Sequence, residues 1–194
     1  MTLRERVDAY KHTFKRWPGS WPTLGISPDG RETMQAVWVI GNDYRNKTTF
    51  YGSYPRSYLD RVMAMYPDAG DSVLHAFSGS LPSGNYTRCD LVQDAELKCS
   101  VYDVASETDR RFRLILADPP YTGEDAKKYG TPMVNRGRAT RSLAAVAEPG
   151  GHMVWLDTVW PMHSKSLWLT IGRIAVVRST NHRVRMATVF ERVA

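Results

Sequence analysis

Asp118, Pro119, Pro120 and Tyr121 follow directly on the apolar run Phe112–Ala117. Two successive prolines lock φ at both positions and remove both N–H donors, so this backbone is stiff and its carbonyls are left as acceptors. The Asp118 carboxylate is a further acceptor, and Tyr121 contributes a flat π face. These parts suit a planar ring that carries an exocyclic NH₂. The carboxylate and a proline carbonyl accept the two amine hydrogens while the tyrosine stacks on the ring. Held so, the amine lone pair turns toward an electrophile in line, and catalysis comes from positioning and electrostatics.

Other candidate residues also fall at the ends of apolar segments. In "HAFSGSL", Phe77, Ser78, Gly79 and Ser80 follow a short apolar run, where small residues let the backbone approach a ligand. Asp90 closes "YTRCD" and Asp103 closes "KCSVYD"; acids at such ends can bind ribose hydroxyls, or simply be solvated. Beyond Tyr121, the segment "TGEDAKKYGTPMVNRGRATR" carries Lys127, Lys128, Arg136, Arg138 and Arg141, a basic clamp for a phosphate backbone or a solvated loop. His152, His163 and His182 have no metal-ligand spacing, and no phosphate-binding Gly-Lys loop is present.

The elements that must hold these residues are read from periodicity. "SVLHAF", "YTRCDLV", "KCSVYDV", "FRLILAD" and "HMVWL" read as strands. "YPRSYLDRVMAMY" and "GRATRSLAAVAE" read as helices, the first stopped by Pro67. "GRIAVVRSTNHRVRMATVFERV" reads as two antiparallel strands around Ser-Thr-Asn. Before them, "RWPGSWPTLGISPDGRE" reads as irregular, and "QAVWVIGNDYRNKTTFYG" as a hairpin around Gly-Asn-Asp. Strands alternating with helices predict an α/β sheet with ligands at the carboxyl ends of the strands. Residues 1–50 form an N-terminal extension packed on a main domain of residues 51–194.

At 194 residues the chain suits one buried core. Its net charge of +6 favours a polyanionic partner. No apolar run nears the roughly 20 residues of a membrane span, the N-terminus has no secretory h-region, and the two cysteines, Cys89 and Cys99, make neither a disulfide framework nor a zinc cluster. A cytoplasmic protein without a metal is expected.

From Tyr51 onward the chain resembles S-adenosylmethionine-dependent methyltransferases of the class I Rossmann-like fold, in their amino-methylating branch. "DPPY" resembles that branch's catalytic motif, Asp118–Tyr121, and "HAFSGSL" its cofactor motif. The resemblance implies S-adenosyl-L-methionine as cofactor, bound by Phe77, Ser78, Gly79, Ser80, Asp90 (ribose), Asp103 (near adenine) and Asp118. Tyr54 and Pro55, in "YGSYPRSYLDRV", would enclose its methionine end. Tyr121, Lys128, Arg136 and Arg138 would contact the substrate. "AEPGGHMVWL" and the closing hairpin resemble the family's fifth strand and its antiparallel sixth and seventh strands.

The chain departs from the pattern in Leu81, where a second glycine is usual, and in His75, which replaces an acid. "LPSGNYTR" and "VQDAEL" are too short for crossover helices, so loops or single turns are expected there, with one sheet face thinly covered. Cytosine C5 chemistry resembles a different design, with a cysteine after a proline; here Cys89 follows Arg88 and Cys99 follows Lys98. The motif order resembles DNA amino-methyltransferases, so methylation of adenine N6 in DNA is expected, with cytosine N4 and RNA guanine N2 open. Target recognition would then come from the N-terminal extension, from loops, or from a homodimer or partner chain. The alternatives are a non-catalytic nucleic-acid- or protein-binding module on a reduced methyltransferase fold, and an amino-methyltransferase of RNA or protein.

Overall fold

Alternating apolar residues build the sheet. In a computed structural model, which describes residues 1–41, 54–55, 57–179 and 184–193, the chain opens with α1 (Leu3–Thr13), β1 (Thr23–Ile26), β2 (Glu32–Ile40) and α2 (Tyr58–Met65). It continues through β3 (Val73–Ala76), β4 (Thr87–Cys89), α3 (Val104–Glu107) and β5 (Phe112–Ala117). After these come α4 (Gly123–Tyr129), α5 (Arg136–Val146), β6 (Ala147–Asp157), β7 (Trp168–Arg178) and β8 (Val184–Arg192).

Among the described residues the strands form one sheet in the order β1-β2-β7-β8-β6-β5-β3-β4. β8 is antiparallel to both of its neighbours and β1 to β2; every other pair is parallel. This is a Rossmann-like α/β fold, mostly parallel, with the antiparallel C-terminal hairpin the sequence predicts. Along β5, Leu114 and Leu116 face the core under α1 and α2, whereas Ile115 and Ala117 face the core under α5. That two-residue period makes β5 buried on both faces.

The N-terminal segment differs from expectation. Thr2 and Glu5 form a capping box that starts α1. Within the stretch read as irregular, Thr23–Ile26 is an edge strand, paired with β2 through a turn at Gly30, whose φ is +82°. Pro22 and Gly25 hide it in the sequence, but an edge strand tolerates such residues. β2 joins the sheet beside β7. The hairpin expected after Gly41 lies mostly outside the described residues, as do Tyr51–Ser53 and Arg56.

"KCSVYDV" is not a strand. Only an isolated parallel bridge, Cys89 to Leu97, continues the sheet beyond β4, and residues 101–103 form a turn into α3. The cause is the turn after β4, where Asp90 captures the N–H groups of Val92 and Gln93 and diverts the chain. The crossovers are as short as the sequence implies: residues 77–86 contain no helix, and the next connection contains only α3. In place of a helix, Tyr54 and Tyr86 pack edge-on against His75, with ring centroids 5.7 and 4.6 Å away. Gly84 permits this, since a Cβ there would lie 2.6 Å from the Tyr86 ring. No helix among the described residues is long and apolar enough to cross a membrane.

Candidate active site

The end of β5 delivers Asp118 to the carboxyl edge of the sheet, followed by the buried Pro119 and Pro120. The Tyr121 hydroxyl turns back and donates to Asp118 Oδ1. Lack of water around the carboxyl, and to a lesser extent the charge of Asp157, pushes Asp118 up to about 7. The Tyr121 hydrogen bond and the charge of Arg185 oppose that rise without cancelling it. Pro119, Pro120 and Tyr121 line one cleft with Asp118.

A buried ion pair holds this segment in place. Asp157, at the end of β6, has no exposed surface. It accepts from Arg136 Nε and Nη2 at 2.7 and 3.1 Å, from Trp155 Nε1 at 3.1 Å and from the Thr158 N–H at 2.7 Å. Arg136 Nη2 also donates to the Tyr121 carbonyl at 3.2 Å. Arg136, expected at the substrate, is therefore committed to Asp157 and to the backbone of Tyr121, and it does not line the cleft. The reason is placement: it opens α5, which docks over β6. Arg138 lies over the Tyr102 ring at 4.2 Å and does not line the cleft, while Lys128 is exposed on α4.

Loop residues after β3 and β4 line the same cleft. Phe77 and Gly79 both take left-handed φ, +59° and +55°; for Phe77, a bulky residue, this is a strained conformation. Asp90 ties the loop down. Its Oδ2 accepts from the Gly79 N–H at 2.8 Å, and its Oδ1 from the N–H groups of Val92 and Gln93 at 2.9 and 2.8 Å. Phe77, Gly79 and Asp90 line the same cleft as Asp118. Ser78 is fully buried, and its hydroxyl has no partner. Ser80 sits with Tyr54 and Pro55 in a separate pocket.

Asp103, expected beside a ligand, is exposed at the start of α3 and does not line the cleft; Ser100, Val101 and Tyr102 do. Without a strand at residues 99–103, nothing carries its carboxylate to the sheet edge. His75 lies outside the cleft, and burial holds it at about 4, uncharged at neutral pH. Trp155 belongs to the core under α5. Among the described residues, no group of three or more His, Cys, Asp or Glu converges for a metal ion.

Among the cleft residues absent from the sequence reading, one carries a charge. Arg185 lines the cleft, its guanidinium carbon 4.7 Å from the centre of the Tyr121 ring. β8 runs antiparallel and so begins where the parallel strands end. In the sequence, Arg185 is merely one arginine of the closing hairpin, and no local signal separates it from the others.

No protein-family model matches the chain, and no curated protein matches its sequence. Among solved structures it is similar to TrmN from Thermus thermophilus, at 15% identity over 62% of this chain and 43% of that one, with a TM-score of 0.43. The chain thus spans less than half of that protein. It is also similar to yhhF from Escherichia coli, at 11% identity over 91% and 99% of the two chains, TM-score 0.44. An rRNA methylase from Streptococcus thermophilus gives 8% identity over 66% and 91%, TM-score 0.39. These likenesses are too distant to bear on the chemistry of the cleft, which rests on its own geometry.

Proposed function

We propose that the cleft binds S-adenosyl-L-methionine and serves methyl transfer to an exocyclic amine of a nucleic-acid base, adenine N6 in DNA being the expected target. The observation that carries this reading is the meeting of Asp118, Pro119, Pro120 and Tyr121 with Gly79 and Asp90 across one cleft. The residues fit such a cofactor. Asp90 Oδ2 takes a single N–H and keeps acceptor capacity for a ribose hydroxyl. When bound, the cofactor supplies an electrophilic methyl group.

The chain's own residues do the rest. Asp118 Oδ1 is occupied by Tyr121, so Oδ2 is the acceptor for one amine hydrogen, and the Pro119 carbonyl for the other. Tyr121 offers its ring to the base. At about 7, Asp118 is basic enough to take the proton that the methylated amine sheds. Pro119 and Pro120 keep the acceptors still, and Arg136 fixes the Tyr121 backbone.

Incubation with a labelled methyl donor and single- and double-stranded DNA and RNA tests the reading, with base analysis of the product. Label on a base amine supports it. Label only on protein or a small molecule overturns it. Calorimetry with the cofactor and its demethylated product separates an enzyme, which binds both, from a binding module that binds neither.

A further inference from the structure

The cation in the cleft points to a property of the substrate. Arg185 and Val176 are directly paired across the β8–β7 ladder, so their side chains share a sheet face. Arg178 lies two residues beyond Val176 on that face, a diagonal neighbour of Arg185 within reach of a long side chain. Both sit at the end of the sheet that carries Tyr121. Arg178 is half-buried and has contacts of its own, so it adds positive field rather than a free fork. Burial, and then the charge of Arg185, disfavour its protonated form. Placing two guanidiniums side by side is unfavourable unless an anion relieves them.

Arg185 also covers a face of the ring on which a substrate base would stack. A free base offers the ring a partner and the guanidinium nothing. A nucleotide offers both, since its phosphate matches the planar fork of arginine. Resting on the reading of the cleft given above, we propose that Arg185 binds the phosphate beside the reacting base, so that the site selects a nucleotide within a polynucleotide strand.

Fluorescence anisotropy with a labelled single-stranded DNA of mixed sequence tests this on the full chain, without methyl donor. Salt is varied from about 50 to 300 mM, because each phosphate contact on a single strand adds about 0.7 to the slope of log affinity against log salt. Arg185→Ala is expected to bind about tenfold more weakly and to lose about 0.7 of that slope. Arg185→Lys, which keeps the charge but not the fork, should restore the slope and only part of the affinity. Arg31→Ala removes the same charge at the opposite end of the sheet, where Arg31 pairs with Asp29, and should change neither. An unchanged slope in Arg185→Ala, an equal loss in Arg31→Ala, or no binding by the wild type overturns the inference. Because no methyl transfer is involved, failure of the catalytic reading shows up separately, as absence of transfer by a wild type that still binds DNA.

Discussion

Asp118 and Asp90 line one cleft, but the first follows β5, which is packed between strands, and the second follows β4, a short strand at the edge of the sheet. β5 is buried on both faces, and its end is held by the Asp157–Arg136 pair. β4 has only three residues, and the loops around it contain no helix longer than α3. What replaces helix packing there is a set of side-chain tethers to backbone. Asp90 gathers three N–H groups. Arg88 joins Glu96 at 2.8 Å and the Leu81 carbonyl at 2.9 Å. A shortened crossover thus needs polar side chains to do what apolar burial does elsewhere. Damage to the β5 wall should fall on chemistry and on global stability, and damage to the β4 wall on cofactor affinity.

The largest effect expected is that of Asp118→Ala. Transfer should fall at least about 10³-fold, with cofactor affinity in calorimetry changed no more than about threefold. Comparable losses in both would erase the division between the walls. Next comes Arg136→Ala, which leaves the Asp157 charge buried without its partner and should cost about 3–5 kcal/mol in urea unfolding. Replacing both partners, Arg136→Met with Asp157→Leu, should recover most of that stability. Asp90→Ala frees three backbone N–H groups; it should cost about 1–3 kcal/mol and weaken cofactor binding at least about tenfold. At saturating cofactor its turnover should remain close to that of the wild type.

The contrast between the walls shows most directly in their response to pH. Burial raises Asp118 to about 7 in the folded chain, above its ordinary value. The folded state then holds a proton that the unfolded state releases. Its contribution to stability is therefore full below about 4 and is lost as pH rises through about 7. Glu96 is the reverse: hydrogen bonding by Arg88 pulls it down to about 2. Its contribution is present above about 4 and is lost as pH falls through about 2, reduced by the exposure of its side chain. Thermal midpoints against pH should lose their decline between about 4 and 7 in Asp118→Asn, and part of their acid limb in Glu96→Gln. If transfer depends on ionised Asp118, its rate should rise with pH through about 7.

Much of this was visible in the residues. The apolar run Phe112–Ala117 ending in Asp-Pro-Pro-Tyr identified the strand and the acceptor-rich turn, because both depend on neighbours in sequence. The shortness of residues 77–86 likewise announced a crossover without a helix. Asp103 is exposed because Asp90 turns the chain aside after β4, which the β-like pattern at residues 99–103 does not reveal. Nothing local marks Arg136 as the partner of Asp157, which lies on another element, 21 positions away. The role of Asp90 as a tether was hidden for the same reason: Gly79 reaches it only once β3 and β4 lie side by side.

The sequence by itself determined the alternation of strands and helices, the stiff turn after β5 and the basic balance of the chain. Tertiary structure alone decided which charges meet: Arg136 with Asp157, Asp90 with the glycine loop, and Arg185 with Tyr121. Local conformation follows from backbone propensity and apolar period, which act over a few residues. Electrostatic partners are chosen by distance in space, and strand order and direction set that distance.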